Sequence, residues 1–155
     1  VFKLEDIDLQ NVNTVGDFVT DKNTITWKNQ STPESIAVFT STDGEDISYS
    51  TADKAREDTD NGVLVVPQPL DNVKLIVKFS QKTAAGTWLK GQTLSFNLKD
   101  FNFASGNNGV WENAKHYKYN LIFGFSTDQQ ILLAPVVSDW QNVTLGKNDD
   151  ITVTK

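Results

Sequence analysis

The chain has no cysteine and no methionine, one arginine (Arg56), one histidine (His116) and no long apolar run. Without cysteine there are no disulfides, no thiolate nucleophile and no cysteine metal ligands. A single arginine puts bidentate recognition of phosphate or carboxylate nearly out of reach, because lysine offers a point charge rather than a planar fork. A lone histidine with no cysteine beside it lacks the partners of a triad or a histidine metal site. The longest apolar run, residues 131–137, falls far short of the ~18 residues that span a bilayer, so the domain is expected to be soluble. The chain opens Val1, Phe2, Lys3, with no initiator methionine. It is read as a fragment of a longer product from which any signal peptide or lipid anchor is already gone.

Its charge is acidic: 14 Lys plus Arg against 20 Asp plus Glu, a formal net charge of -6. Such a surface repels phosphate backbones, so neither nucleic acid nor anionic lipid is an expected partner. No residue set implies a cofactor or a catalytic reaction. A length of 155 residues fits one domain, 1–155, with enough chain to bury a core unaided.

Residues 111–140 organise the rest. Tyr117, Tyr119, Leu121, Phe123 and Phe125 alternate with His116, Lys118, Asn120, Ile122 and Gly124. A period of two over ten residues marks a strand with one buried face, here expected in the middle of a sheet. About five polar residues, 126–130, then lead into the apolar run 131–137, a hairpin pattern.

Nearer the start, Phe2 and Leu4 lie on one parity and Ile7 and Leu9 on the other; a bulge near Glu5 and Asp6 would reconcile them. Phe18 and Val19, the turn residues 21–23 and the strand formers 24–27 read as a short hairpin. Pro33 is taken to separate it from another short strand at 36–40. Residues 41–62 read as a polar surface excursion with at most one weak helical turn at 53–57. The run 62–67, stopped by Pro67, reads as a buried strand or one ending at a sheet rim. Residues 73–80 put Val73, Leu75, Val77 and Phe79 inside and Lys74, Lys78 and Ser80 outside. Shorter strands are expected at 87–89, 93–99, 141–145 and 151–154. Nine or ten short strands, turn signals every 8 to 12 residues and no convincing helix indicate an all-β fold, an antiparallel β-sandwich.

Several of these residues form an ordered set: Leu64, Val65, Val66, Pro67 and Gln68; the lysine-flanked strand 73–79; Trp111, Lys115, Tyr117 and Tyr119; Val136 and Trp140; Ile151 and Val153. In this order the chain resembles the C-terminal domain of the fimbrillin family, the type V pilins of Gram-negative anaerobic bacteria. The similarity is weak before Gly62 and good after it, and its strongest part is the pattern W-x-x-G-K-x-Y-x-Y. Ala114 stands where that pattern has glycine; a left-handed turn would cost alanine about 1 kcal/mol, so a turn of another type is expected. The resemblance implies a transthyretin-like Greek-key sandwich, an additional N-terminal domain, export as a lipoprotein, and assembly into fimbriae at the cell surface and outer membrane by strand exchange. Partners would be other fimbrillin-like subunits, with a host glycan or protein as ligand of an adhesin. Contact with a membrane would come only through an anchor outside this chain.

Under that resemblance the extended segments able to dock on or leave a sheet edge are Phe2, Leu4, Ile7 and Leu9 at one end and Ile151 and Val153 at the other. The plain alternative is that both pair within their own sheet. His116 falls opposite the apolar face and is read as a surface residue. Neighbouring carboxylates such as Glu5 and Asp6 point to opposite faces of a strand, the wrong geometry for a glycosidase pair. Asp58, Asp60, Asn61 and Gly62 are misspaced for a calcium loop and lack its closing glutamate, so a solvated turn is expected. Asn29 and Asn142 begin glycosylation sequons by spelling alone. Trp111 and Trp140 are read as core. Trp88, between Gly86 and Gly91, is either core or an exposed sugar-stacking platform, and the latter makes a carbohydrate-binding module the alternative to a pilin.

Overall fold

The computed structural model describes residues 2–22, 24–47, 62–101, 109–126 and 129–139, with the backbone alone at 47, 122–126 and 129–139. The fold is all-β and sandwich-like, with every described strand pair antiparallel. A four-stranded sheet has the order β2-β1-β4-β5, formed by β1 (Phe2–Asp21), β2 (Thr24–Ile47), β4 (Lys74–Lys82) and β5 (Trp88–Asn97). Two-stranded pairings join β3 (Gln68–Pro69) to β6 (Val110–Trp111) and β7 (Lys115–Ser126) to β8 (Gln129–Asp139). One turn of 3-10 helix, Leu98–Asp100, follows β5.

β1 is the spine of the large sheet, and its side chains explain its path. Leu4 faces Phe79, Ile7 faces Val77 and Leu9 faces Leu75 on β4. All can share one face only because the register shifts between Leu4 and Asp6, where Glu5 is the extra residue. A second shift, between Leu9 and Val12 in the β2 ladder, contains Asn11 at φ 59° and returns Val12 to the interior at 0 % exposure. Asparagine tolerates this left-handed backbone better than most residues. Phe2, Leu4, Leu9 and Val12 join Leu75, Val77, Phe79, Leu70, Leu98 and Trp111 in one core, against which Tyr117, Tyr119 and Leu121 of β7 pack. Among the described residues β1 and β4 supply most of the buried apolar side chains, each worth roughly 1.5–3 kcal/mol against chain entropy.

The opposite face of the same strands is polar. Lys78 lies 3.2 Å from Asp6 and 3.6 Å from Asp8. The hydrogen bond to Asp6 raises the Lys78 ammonium pKa, helped by the charges of both carboxylates. Ser80, expected outside, is buried at 3 % exposure and bonded to the Glu5 carboxylate; the bulge that adds Glu5 supplies its acceptor.

The short hairpin expected at residues 18–27 is instead one continuous β1–β2 ladder, from Phe2 opposite Ile47 to Asp21 opposite Thr24. Pro33 does not interrupt it but pairs with Asn13. Among the described residues β2 lies at the edge of the sheet, the position where a residue without an N–H is tolerated. Of the strands expected at 87–89 and 93–99, residues 88–89 and 93–97 likewise fuse into β5, while Leu98 and Lys99 belong to the 3-10 turn. The join is a bulge opposite Ser80 in which Gly91 takes φ 67°, a left-handed conformation suited to glycine.

Two further expectations are corrected. Residues 62–67 form no strand and Leu64 is 87 % exposed; the short strand begins only at Gln68. An apolar run becomes a strand only where a neighbouring strand meets its backbone groups, and here the carbonyls of Val66 and Pro67 are met instead by the side-chain amides of Gln68 and Gln30. β7 forms as expected, but among the described residues it has one partner, β8, and is not the middle of a sheet. Its pairing runs to Ser126 opposite Gln129, which leaves a connection shorter than five residues.

Candidate functional site

The motif residues Trp111, Tyr117 and Tyr119 meet. Period two puts both tyrosines on one face of β7, and the turn at Asn113 and Ala114 brings β6 back onto them. The Trp111 Nε1–H donates to the Tyr119 hydroxyl oxygen at 2.8 Å, the Glu112 N–H donates to the Tyr117 hydroxyl at 2.6 Å, and the rings of Trp111 and Tyr117 lie 6.5 Å apart. Burial drives the Tyr119 pKa up to about 12, against the opposing effect of its hydrogen bond with Trp111; burial also raises that of Tyr117. Trp111 is 3 % exposed, so this trio is a structural clasp. Ala114 adopts the left-handed backbone, at φ 56°, where a turn of another type was expected of alanine. Lys115 lies opposite Asp139 in the β7–β8 register.

Gln68 is the strand partner of Trp111 in the β3–β6 pair, and Pro67 precedes it. The Pro67 carbonyl accepts from Gln30 Nε2 at 3.2 Å. Gln68, 1 % exposed, uses its side-chain amide as a strand would use a peptide group. The Asn13 N–H donates to Oε1 at 2.8 Å, and Nε2 donates to the carbonyls of Asn13 at 3.1 Å and Val66 at 2.9 Å. β4 stops pairing with β1 at Gln10, and Gln68 meets the β1 backbone just beyond.

A cleft of about 570 Å³ opens at that notch. β1 gives it Asn11 and Asn13, β2 gives Gln30 and Pro33, and the turn before β4 gives Asp71 and Asn72, over a floor that includes Gln68. Reading along the sequence missed this cluster, because its members come from three separate segments. The only signal was a density of asparagine and glutamine beside turns.

Of the strand-exchange candidates, Phe2, Leu4, Ile7 and Leu9 lie between β2 and β4, paired on both sides. Ile151 and Val153 lie outside the described residues, as do Trp140, the sequon at Asn142, the segment 141–145 and Asp58, Asp60 and Asn61. The outer strands of the large sheet are β2 and β5, and β5 is bonded only to β4 among the described residues. Beyond Asn13 the β1–β2 hairpin continues past the sheet, with Val15, Phe18, Val19 and Ile25 each 39 % exposed or more. Trp27 packs edge-on to Phe18 at 5.4 Å; its buried Nε1–H has no partner among the described residues.

Trp88 is half-buried, with Lys3 Nζ 5.6 Å and Lys82 Nζ 5.8 Å from its ring centroid. Both ammonium groups stand within cation–π distance, so the ring is not a bare platform for a sugar. His116 is exposed on β7. Compared with family models, curated proteins and solved structures, the chain gives no match.

Proposed function

We propose that this chain is a structural subunit or adhesin component of bacterial surface fimbriae, the C-terminal sandwich of a longer fimbrillin-like protein. Its partners are other subunits of the same kind, and its place is the cell surface, held to the outer membrane by an anchor outside this chain. The ordered motif set, from Pro67 and Gln68 through Trp111, Lys115, Tyr117 and Tyr119, supports the family. The observation that carries the assembly mechanism is the outer edge of β5, ten residues long and unpaired there among the described residues. Such an edge accepts a foreign strand by main-chain hydrogen bonding, with alternate side chains setting specificity. The apolar tip of the β1–β2 hairpin offers further contact area. The rival reading, a carbohydrate-binding module built on Trp88, is disfavoured by the two lysines already engaging that ring.

Proline at adjacent positions of β5 tests the mechanism. Gln92 faces Phe79 and Thr93 faces Lys78. In an antiparallel ladder one of two neighbouring residues bonds inward and the other turns its N–H outward. Of Gln92→Pro and Thr93→Pro, the inward-bonded one should lower the melting temperature sharply. The other should keep the fold and lose assembly, scored by electron microscopy of fimbriae. Normal fimbriae from the variant that keeps the fold would eliminate β5 as the acceptor edge.

A further inference from the structure

The cleft beside Gln68 has a chemistry that the assembly reading does not use. Its floor is fixed. The three hydrogen bonds of the Gln68 amide go to backbone, Gln30 Nε2 is held by the carbonyls of Trp27 and Pro67, and Asn11 Nδ2 donates to the Asn72 carbonyl at 3.1 Å. Its rim is not fixed: among the described residues the side-chain amides of Asn13 and Asn72 and the Asp71 carboxylate make no hydrogen bond, and Asp71 and Asn72 are exposed. A rigid floor under uncommitted polar groups is the arrangement of a preformed binding cleft, and about 570 Å³ lies within the usual range of roughly 300–1,000 Å³.

The composition of the lining selects the ligand. It contains no lysine, arginine or histidine, so nothing neutralises an anion, and its single carboxylate is too little for a bare cation. Side-chain amides both donate and accept, whereas a carboxylate only accepts. A hydroxyl also does both, so neighbouring hydroxyls on one ring can donate to Asp71 while accepting from Asn13 and Asn72. Pro33, Pro69 and Val73 add apolar surface for the C–H face of such a ring. We infer that this cleft binds a neutral saccharide, at a site separate from Trp88. No residue of the cleft lies on β5, so the inference stands or falls independently of strand pairing.

NMR titration of the isotopically labelled chain with glucose, galactose, mannose, N-acetylglucosamine and lactose tests it. At least one of these sugars should shift the side-chain amide signals of Asn13 and Asn72 and the backbone signals of residues 71–73, saturably. Asp71→Asn and Asn72→Ala should each weaken that binding roughly three- to tenfold, the worth of one hydrogen bond, without moving the melting temperature. Asn13→Ala is a second probe, since the Asn13 backbone keeps its bonds to Gln68. The inference is overturned if no sugar shifts these signals, if the shifts centre on Trp88, or if the folded variants bind like the parent. It is equally overturned if an acetylated, amidated alanine peptide binds there and the sugars do not.

Discussion

Ala114 holds φ at 56° in the exposed turn that folds β6 onto β7, where the Trp111 clasp is closed. In that region the Cβ of an L-residue crowds the following carbonyl, at a cost of about 1–2 kcal/mol that glycine does not incur. Ala114→Gly removes this strain, and the freer unfolded chain takes back about 0.4–1 kcal/mol. The net expectation is a gain of about 0.5–1 kcal/mol. For a chain of this length that corresponds to a rise of about 1–4 °C in melting temperature. Ala114→Val is the matched opposite, because a β-branched residue fits the left-handed region worst. Urea denaturation of the three proteins, with m compared, separates a native-state effect from a change in the unfolded ensemble. A glycine variant no more stable than the parent, at unchanged m, would mean that the turn is not left-handed.

Gln68→Leu should lose about 3 kcal/mol in the same assay, since it orphans the Asn13 peptide groups and the Val66 carbonyl while keeping most of the packing. Gln68→Glu should be worse at neutral pH, because a carboxylate cannot donate to two carbonyls; a cost below about 1 kcal/mol for both variants would show that water replaces the amide. At alkaline pH the unfolded chain ionises Tyr119 at its ordinary value of 10.0, while the folded chain holds the proton until about 12. Its contribution to stability is therefore full below pH 10 and declines by about 2–3 kcal/mol in total between pH 10 and pH 12. Denaturant midpoints measured across that window should fall for the parent and fall less for Tyr119→Phe; equal declines would remove Tyr119 as the source.

Much of the large sheet was legible because its apolar residues report their own faces. The opposite parity of Phe2 with Leu4 and Ile7 with Leu9 demanded a bulge near Glu5, and one is there. Val73, Leu75, Val77 and Phe79 are buried as their alternation indicated. What failed depended on partners that periodicity does not name. Pro33 read as a break, yet an edge strand accommodates it. Residues 62–67 were apolar enough for a strand but have no strand partner among the described residues. Ser80 looked like a solvent residue, and its burial depends on Glu5, 75 residues away. The cleft was the least legible part, because asparagine and glutamine are ordinary turn residues until the fold gathers Asn11, Asn13, Gln30 and Asn72 around Gln68.

The paired irregularities of β1 give that strand something like a reading frame. Residues between the bulge at Glu5 and the one around Asn11 are out of phase with both flanks, and the first insertion is undone by the second. Losing Glu5 alone would put Phe2 and Leu4 on the same parity as Ile7 and Leu9, so the apolar face would survive without the bulge and Ser80 would lose its acceptor. Losing Asn11 as well would bring Val12 into step with them and leave a plain pleat. β1 therefore tolerates the removal of a bulge residue better than the insertion of one elsewhere, which would turn one flank of its apolar row to the wrong side.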